Sequence, residues 1–91
     1  MAKKEMVTKV IDGDTFMTGS RKNAVRLSNV DTPEKGQSGY SNAKTELTKL
    51  IQGKEVSIDT KARDKYGRSV ANVKIGTRSV NKAMKPYEKK K

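Results

Sequence analysis

Half of the ten acidic residues of this 91-residue chain fall in three short stretches: Asp12-Gly13-Asp14-Thr15, Asp31-Thr32-Pro33-Glu34 and Asp64-Lys65-Tyr66-Gly67-Arg68. Carboxylates held in turns that carry Gly and Pro, within a chain of net charge +11, suit a hard cation and a phosphate-rich partner. Asp14 opens one expected strand and Asp31 follows the end of the next, so a hairpin brings the two to one mouth of the sheet. Two carboxylates that close repel unless a divalent cation sits between them. Thr32 could add its backbone carbonyl. Glu34, behind the φ-restricting Pro33, is placed to reach a water on that cation, the position of a general base. Arg26 faces opposite to Val25 and Leu27 on its strand and shares the mouth with the acids, while Arg68 closes the third stretch. Two guanidinium groups can grip a phosphodiester bidentately and stabilise the charge that builds in its transition state. Lys65 and Tyr66 offer further phosphate contacts, and Tyr66 a ring on which a base can stack. Together these are the parts for metal-assisted phosphodiester hydrolysis. Taken singly, each has a plainer reading: Asp favours turns for local reasons, Arg26 suits a strand-face salt bridge, and Glu34 and Arg68 suit surface charges.

Composition narrows the chemistry further. There is no Cys and no His, which excludes disulfides, thiolate nucleophiles, imidazole bases and imidazole metal sites. Any metal site must be built from oxygen, which favours Ca²⁺ or Mg²⁺ over Zn²⁺. The positive charge is uneven: residues 1–60 carry ten Lys/Arg against eight Asp/Glu, and residues 61–91 carry eleven against two. A field of that sign draws polyanions, nucleic acid first and an anionic membrane surface second. No apolar run approaches the roughly 18 residues of a membrane span, and nucleic acid rather than a membrane is the expected partner. Nor does a signal-type apolar stretch follow Met1-Ala2-Lys3-Lys4. The chain as given is read as intracellular or as a mature form, with the compartment unknown.

The elements that must position these residues follow from periodicity. Residues 6–11, 15–18 and 24–29 read as a three-stranded meander, with turns at Asp12-Gly13 and at 19–23. A loop over 31–39, broken by Pro33, Gly36 and Gly39, leads to a helix capped by Ser41. Its apolar stripe is Ala43, Leu47, Leu50 and Ile51, and Gly53 marks its end. Residues 55–60 form a fourth strand with Val56 and Ile58 inward. A charged loop over 61–68 precedes a fifth strand, 69–75, with Ala71, Val73 and Ile75 on one face. Gly76-Thr77 turns the chain into a short helix at 80–84. The fold class is therefore mainly β (α+β), a five-stranded Greek-key barrel of the oligonucleotide/oligosaccharide-binding (OB) type with its helix between the third and fourth strands. Residues 1–84 make one domain and 85–91 a basic disordered tail.

Val10-Ile11-Asp12-Gly13-Asp14-Thr15, Val25-Arg26-Leu27, Val30-Asp31-Thr32-Pro33-Glu34 and Asp64-Lys65-Tyr66-Gly67-Arg68 occur in an order and spacing that resembles the staphylococcal nuclease (thermonuclease) family. Between them, the run from Ala43-Lys44 through Gly53-Lys54-Glu55-Val56 is similar to that family's helix and following strand, and Val80-Asn81 to the start of its second helix. The resemblance spans about Val7 to Ala83. It implies an OB-type barrel that binds one Ca²⁺ and cleaves DNA and RNA, endo- and exonucleolytically, to 3′-phosphate products. By position it implies Asp14, Asp31 and the Thr32 carbonyl as calcium ligands and Asp12 as a carboxylate that supports them through water. It also implies Glu34 as the residue that activates the attacking water, Arg26 and Arg68 as the phosphate-binding pair, and Lys65 and Tyr66 as contacts to a bound nucleotide's terminal phosphate. The sequence stops soon after the second helix should begin, so it resembles a short form without the family's C-terminal helical region and its two nucleotide-holding tyrosines. A monomer acting on nucleic acid, single strands preferred, is the expectation. The alternatives are a non-catalytic nucleic-acid-binding OB module and a packaging protein that works through its basic tail.

Overall fold

The computed structural model describes residues 3–88, the side chain of Lys3 excepted. Strand β1 (Lys3–Asp12) turns at Gly13-Asp14 into β2 (Thr15–Thr18), which pairs with β3 (Val25–Leu27). Helix α1 (Tyr40–Ile51) leads to β4 (Glu55–Arg63), which returns antiparallel beside the start of β1, and β5 (Ser69–Ile75) folds back on β4. β5 also pairs in parallel with β3, Val25 opposite Ser69 and Leu27 opposite Ala71. That pairing closes the five strands into a ring in the order β1-β2-β3-β5-β4, with α1 between the third and fourth strands. This is the OB barrel that the strand plan predicts. Closure leaves few unpaired edges, which suits so small a chain. A two-residue sixth strand, β6 (Arg78–Ser79), pairs on the outer edge of β5, followed by α2 (Val80–Met84) and a 3₁₀ turn (Lys85–Tyr87).

The core is aliphatic around one ring. Phe16 is the largest fully buried side chain, surrounded by Val7, Val25, Leu27, Leu47, Ile51, Val56, Ile58 and Val73. Val7 and Val10 both point inward although three residues apart, which strict strand alternation forbids. Register shifts between Val7 and Lys9 and between Val10 and Asp12 rotate the strand to allow it.

Several boundaries differ from the sequence expectations. β4 runs on to Arg63, where the charge of residues 61–63 suggested a loop, because a register shift between Thr60 and Ala62 lets Ala62 and Arg63 pair with Val70 and Ser69. β3 ends at Leu27 rather than 29, since Asn29 turns the chain with φ 60°. Ser41 does not cap α1. The N-cap is Gly39 at φ 89°, a left-handed conformation that glycine adopts without strain, and it makes no side-chain cap bond. Gly53, at φ 76°, does follow the helix C-cap as expected. The tail expected to be disordered from residue 85 forms the 3₁₀ turn, with Pro86 in its first positions and Tyr87 packed on the core. The rest of that tail, residues 89–91, lies outside the described residues. Among the described residues no helix is long and apolar enough to cross a membrane.

A candidate catalytic mouth of carboxylates and arginines

Asp14 sits in the β1–β2 turn with only 6% of its surface exposed. Gly13 makes this possible: a Cβ there would lie 2.5 Å from Ala43 Cβ and 2.7 Å from Thr32 Oγ1. Asp14 Oδ1 accepts from Thr15 Oγ1 at 2.9 Å and Oδ2 from the Thr32 backbone N–H at 3.2 Å. The Asp14 N–H donates to Asp12 Oδ1 at 3.3 Å. Burial, reinforced by the neighbouring Asp12 carboxylate, pushes the Asp14 carboxyl up to about 6.

Arg26 reaches from β3 toward the same point. Its Nη2 stands 3.4 Å from Asp14 Oδ2 and 3.6 Å from Asp31 Oδ1. The two carboxylates that the sequence pairs are thus brought together, and they converge on one positive group, the guanidinium of Arg26. Among the described residues no group of three acidic side chains gathers to hold a metal. Thr32 is buried beside them, and its Oγ1 has no hydrogen-bond partner among the described residues.

Arg68 is locked into the β4–β5 loop. Its Nε donates to Asp64 Oδ2 at 2.6 Å and its N–H to Asp64 Oδ1 at 2.9 Å, an oxygen that also accepts from the Tyr66 N–H. Asp64, the fifth acid of the opening pattern, therefore shapes the loop. Tyr66 is 70% exposed, with Lys65 Nζ 5.2 Å and Arg68 Cζ 5.4 Å from its ring centroid. The parallel register sets Arg26 beside Val70, two residues on from Arg68. Glu34 is exposed in a turn where its N–H donates to Gln37 Oε1 at 2.8 Å. Its carboxylate pairs with nothing among the described residues, and the structure does not bring it against Asp14 or Arg26.

Three contributors escaped the sequence reading. Glu88 Oε2 accepts from the Asp31 N–H at 3.1 Å, and Lys85 Nζ donates to the Asn29 carbonyl, so the C-terminal turn clamps both sides of Val30. Lys85 and Glu88 also pair with each other at 3.3 Å. Asn81, buried, bonds the Val73 N–H and the carbonyls of Ser28 and Ala71, tying α2 to β5 and to the exit of β3. The only sequence signal was a proline followed by mixed charges at the end of the chain.

The fold is an OB barrel with a buried carboxylate and an arginine at one mouth. The family described as staphylococcal nuclease homologue matches residues 24–86, and the chain belongs to that family. It is 35% identical over 81 residues to a Haemophilus influenzae protein named "Uncharacterized endonuclease", a match covering 86% of this chain and 46% of that one. An Escherichia coli protein of the same name is 41% identical over 70 residues, 74% of this chain and 45% of the relative. A Shigella flexneri protein named "Micrococcal nuclease" is 36% identical over 69 residues, 74% and 40% respectively. The chain spans less than half the length of these curated relatives.

Proposed function

We propose that the chain is a metal-dependent nuclease that hydrolyses phosphodiester bonds of DNA and RNA, single strands preferred, leaving 3′-phosphate ends. The carrying observation is the convergence of Asp14 and Asp31 on one cationic position, 3.4 and 3.6 Å from Arg26 Nη2. The names of the relatives support the same reading. The donor set fits a hard cation such as Ca²⁺: it is all oxygen, one carboxylate is buried beside another, and a buried hydroxyl at Thr32 lacks a partner among the described residues. Asp14, Asp31 and the Thr32 carbonyl would hold the ion, with Asp12 supporting them. Bound there, it would neutralise phosphoryl oxygens and favour ionisation of a water.

The protein's own groups would do the rest. Arg26 and Arg68 bind the phosphodiester and stabilise the extra charge of its five-coordinate transition state. Asp64 holds Arg68 ready for this, so little order is lost on binding. Glu34 takes a proton from the attacking water, whose oxygen bonds to phosphorus while the bond to the 5′ oxygen breaks and that oxygen takes up a proton from solvent. Its exposed turn lets the carboxylate swing toward the substrate. Tyr66 and Lys65 hold the neighbouring nucleotide, and an exposed ring suits unpaired bases.

Single-stranded DNA incubated with Ca²⁺ should be cut to fragments that a polymerase extends only after phosphatase treatment, and EDTA should stop the reaction. Arg68→Ala and Glu34→Ser should each lower kcat by about 10²–10³-fold. Cleavage that persists in EDTA or in these variants overturns the mechanism. Binding without cleavage favours a non-catalytic OB module.

A further inference from the structure

We propose that the concavity between the 33–42 segment and the C-terminal turn is a nucleobase subsite, which takes the unpaired base of a nucleotide next to the scissile phosphate. Its volume is about 610 Å³, with walls that include Pro33, Gln37, Asn42, Pro86, Tyr87 and Glu88. That is within the range of about 300–1,000 Å³ of small-molecule pockets.

Charge chooses the occupant. The chain has 21 Lys and Arg, yet among the described residues none lines this concavity. Three other concavities are each lined by three cations: Lys49, Lys54 and Arg78; Arg21, Lys22 and Arg63; and Lys74, Lys82 and Lys85. A phosphate would meet the Glu88 carboxylate here, which is paired by Lys85 at 3.3 Å from outside the walls, whereas a base is neutral. The walls supply what a base needs. Pro86 and the half-buried Tyr87 present flat apolar surface, with buried Pro33 behind them. The side-chain amides of Gln37 and Asn42 can donate and accept along a base edge. Gln37 Oε1 already holds the Glu34 N–H, which leaves its NH₂ group to donate.

Position follows from shared residues. Pro33 lies between Thr32 and Glu34, and Glu88 accepts from the Asp31 N–H. The pocket therefore adjoins the acidic loop directly, within one nucleotide of the phosphate. It is also preformed. Tyr87 packs on the core and its hydroxyl donates to Glu46 Oε1 at 3.1 Å, so stacking on it orders little that is mobile. Aromatic stacking of one base is worth on the order of tenfold or more in affinity. The location of the phosphate rests on the nuclease reading, but the pocket's preference for a base does not.

Asn42→Trp, at an exposed position of α1, fills the concavity without disturbing the core, and Tyr87→Leu removes the ring. Two readouts separate the proposals. First, oligonucleotides with 2-aminopurine at successive positions are bound to the slowed Glu34→Ser protein in EDTA, with and without the pocket changes. Quenching at one position, lost with Asn42→Trp, supports the subsite even if the unmodified chain cleaves nothing. Second, kcat/KM is measured on short strands with one cleavable phosphodiester and an abasic nucleotide on either side. One abasic placement should cost the unmodified chain about tenfold and Asn42→Trp less than twofold. Cleavage with unchanged quenching and undiminished abasic sensitivity in both variants overturns the subsite and leaves the nuclease reading standing. A solution dimer that Asn42→Trp dissolves, with no change in quenching, assigns the pocket to a second copy and also overturns it.

Discussion

Asp14 carries the tension of the site, and that tension can be measured. A carboxyl held at about 6 when folded against about 3.9 unfolded stabilises the fold only while protonated. Its contribution is complete below about pH 4 and is lost as pH rises through 6, a change on the order of 2–3 kcal/mol. In EDTA, chemical denaturation should therefore show greater stability at pH 4.5 than at pH 7, and Asp14→Asn should flatten that slope. Calcium added at pH 7 should restore stability by binding only the folded chain. Glu5 behaves oppositely. Its hydrogen bond from Arg21, then those from Ser20 and Thr18, outweigh its burial and hold it at about 2. Its contribution is full above about pH 4.5 and falls away toward pH 2, so the two groups act in separate windows. Gly13 is the other residue with no substitute. Gly13→Ala drives a methyl into Ala43 and Thr32, and should cost about 1–3 kcal/mol by denaturation along with a larger fraction of activity.

At the scale of elements, the strands and α1 were legible because burial imposes a period. Val25 and Leu27 alternate with Arg26, and Ala43, Leu47 and Ile51 fall at helical spacing, all buried. The paired motifs were legible because hairpin geometry brings strand ends together. Polar networks leave no period and were missed. Glu5 accepts from Thr18 at 2.8 Å, Ser20 at 2.7 Å and Arg21 at 2.8 Å, while Arg21 Nη1 reaches Ser69 at 3.0 Å. This knots β1, the β2–β3 turn and β5. Arg21→Ala leaves Glu5 charged and unpaired in a nearly closed site and should cost about 3 kcal/mol by thermal or denaturant unfolding. The double change Glu5→Leu with Arg21→Met should cost less than that single one. The buried role of Asn81 was likewise missed: Val80-Asn81 marked the start of a helix, but nothing local distinguishes its amide from a surface one. Asn81→Ala removes partners from one N–H and two carbonyls and should cost about 2–4 kcal/mol. The position of Glu34 relative to the acids was not recoverable either, because its loop is set by Gly39 and Gln37 rather than by the sheet.

The whole molecule is a small barrel with +9 of its charge in the last third of the chain. Attraction to single-stranded nucleic acid should fall steeply with salt, by about 0.7 in log–log slope for each phosphate neutralised. Lys65→Ala should reduce that slope by about 0.7 with little change in the fold, a filter-binding titration being sufficient to show it. The barrel itself closes through the parallel pairing of β3 with β5, which joins Val25 to Ser69 across 44 intervening steps of chain. That seam has a consequence for biosynthesis. During translation, β3 is made with one side unoccupied and stays so at least until residue 71 is synthesised, a delay of a few seconds at about 5–20 residues per second. Substitutions that slow the arrival of β5 should therefore reduce soluble yield in cells before they alter the finished protein's melting point.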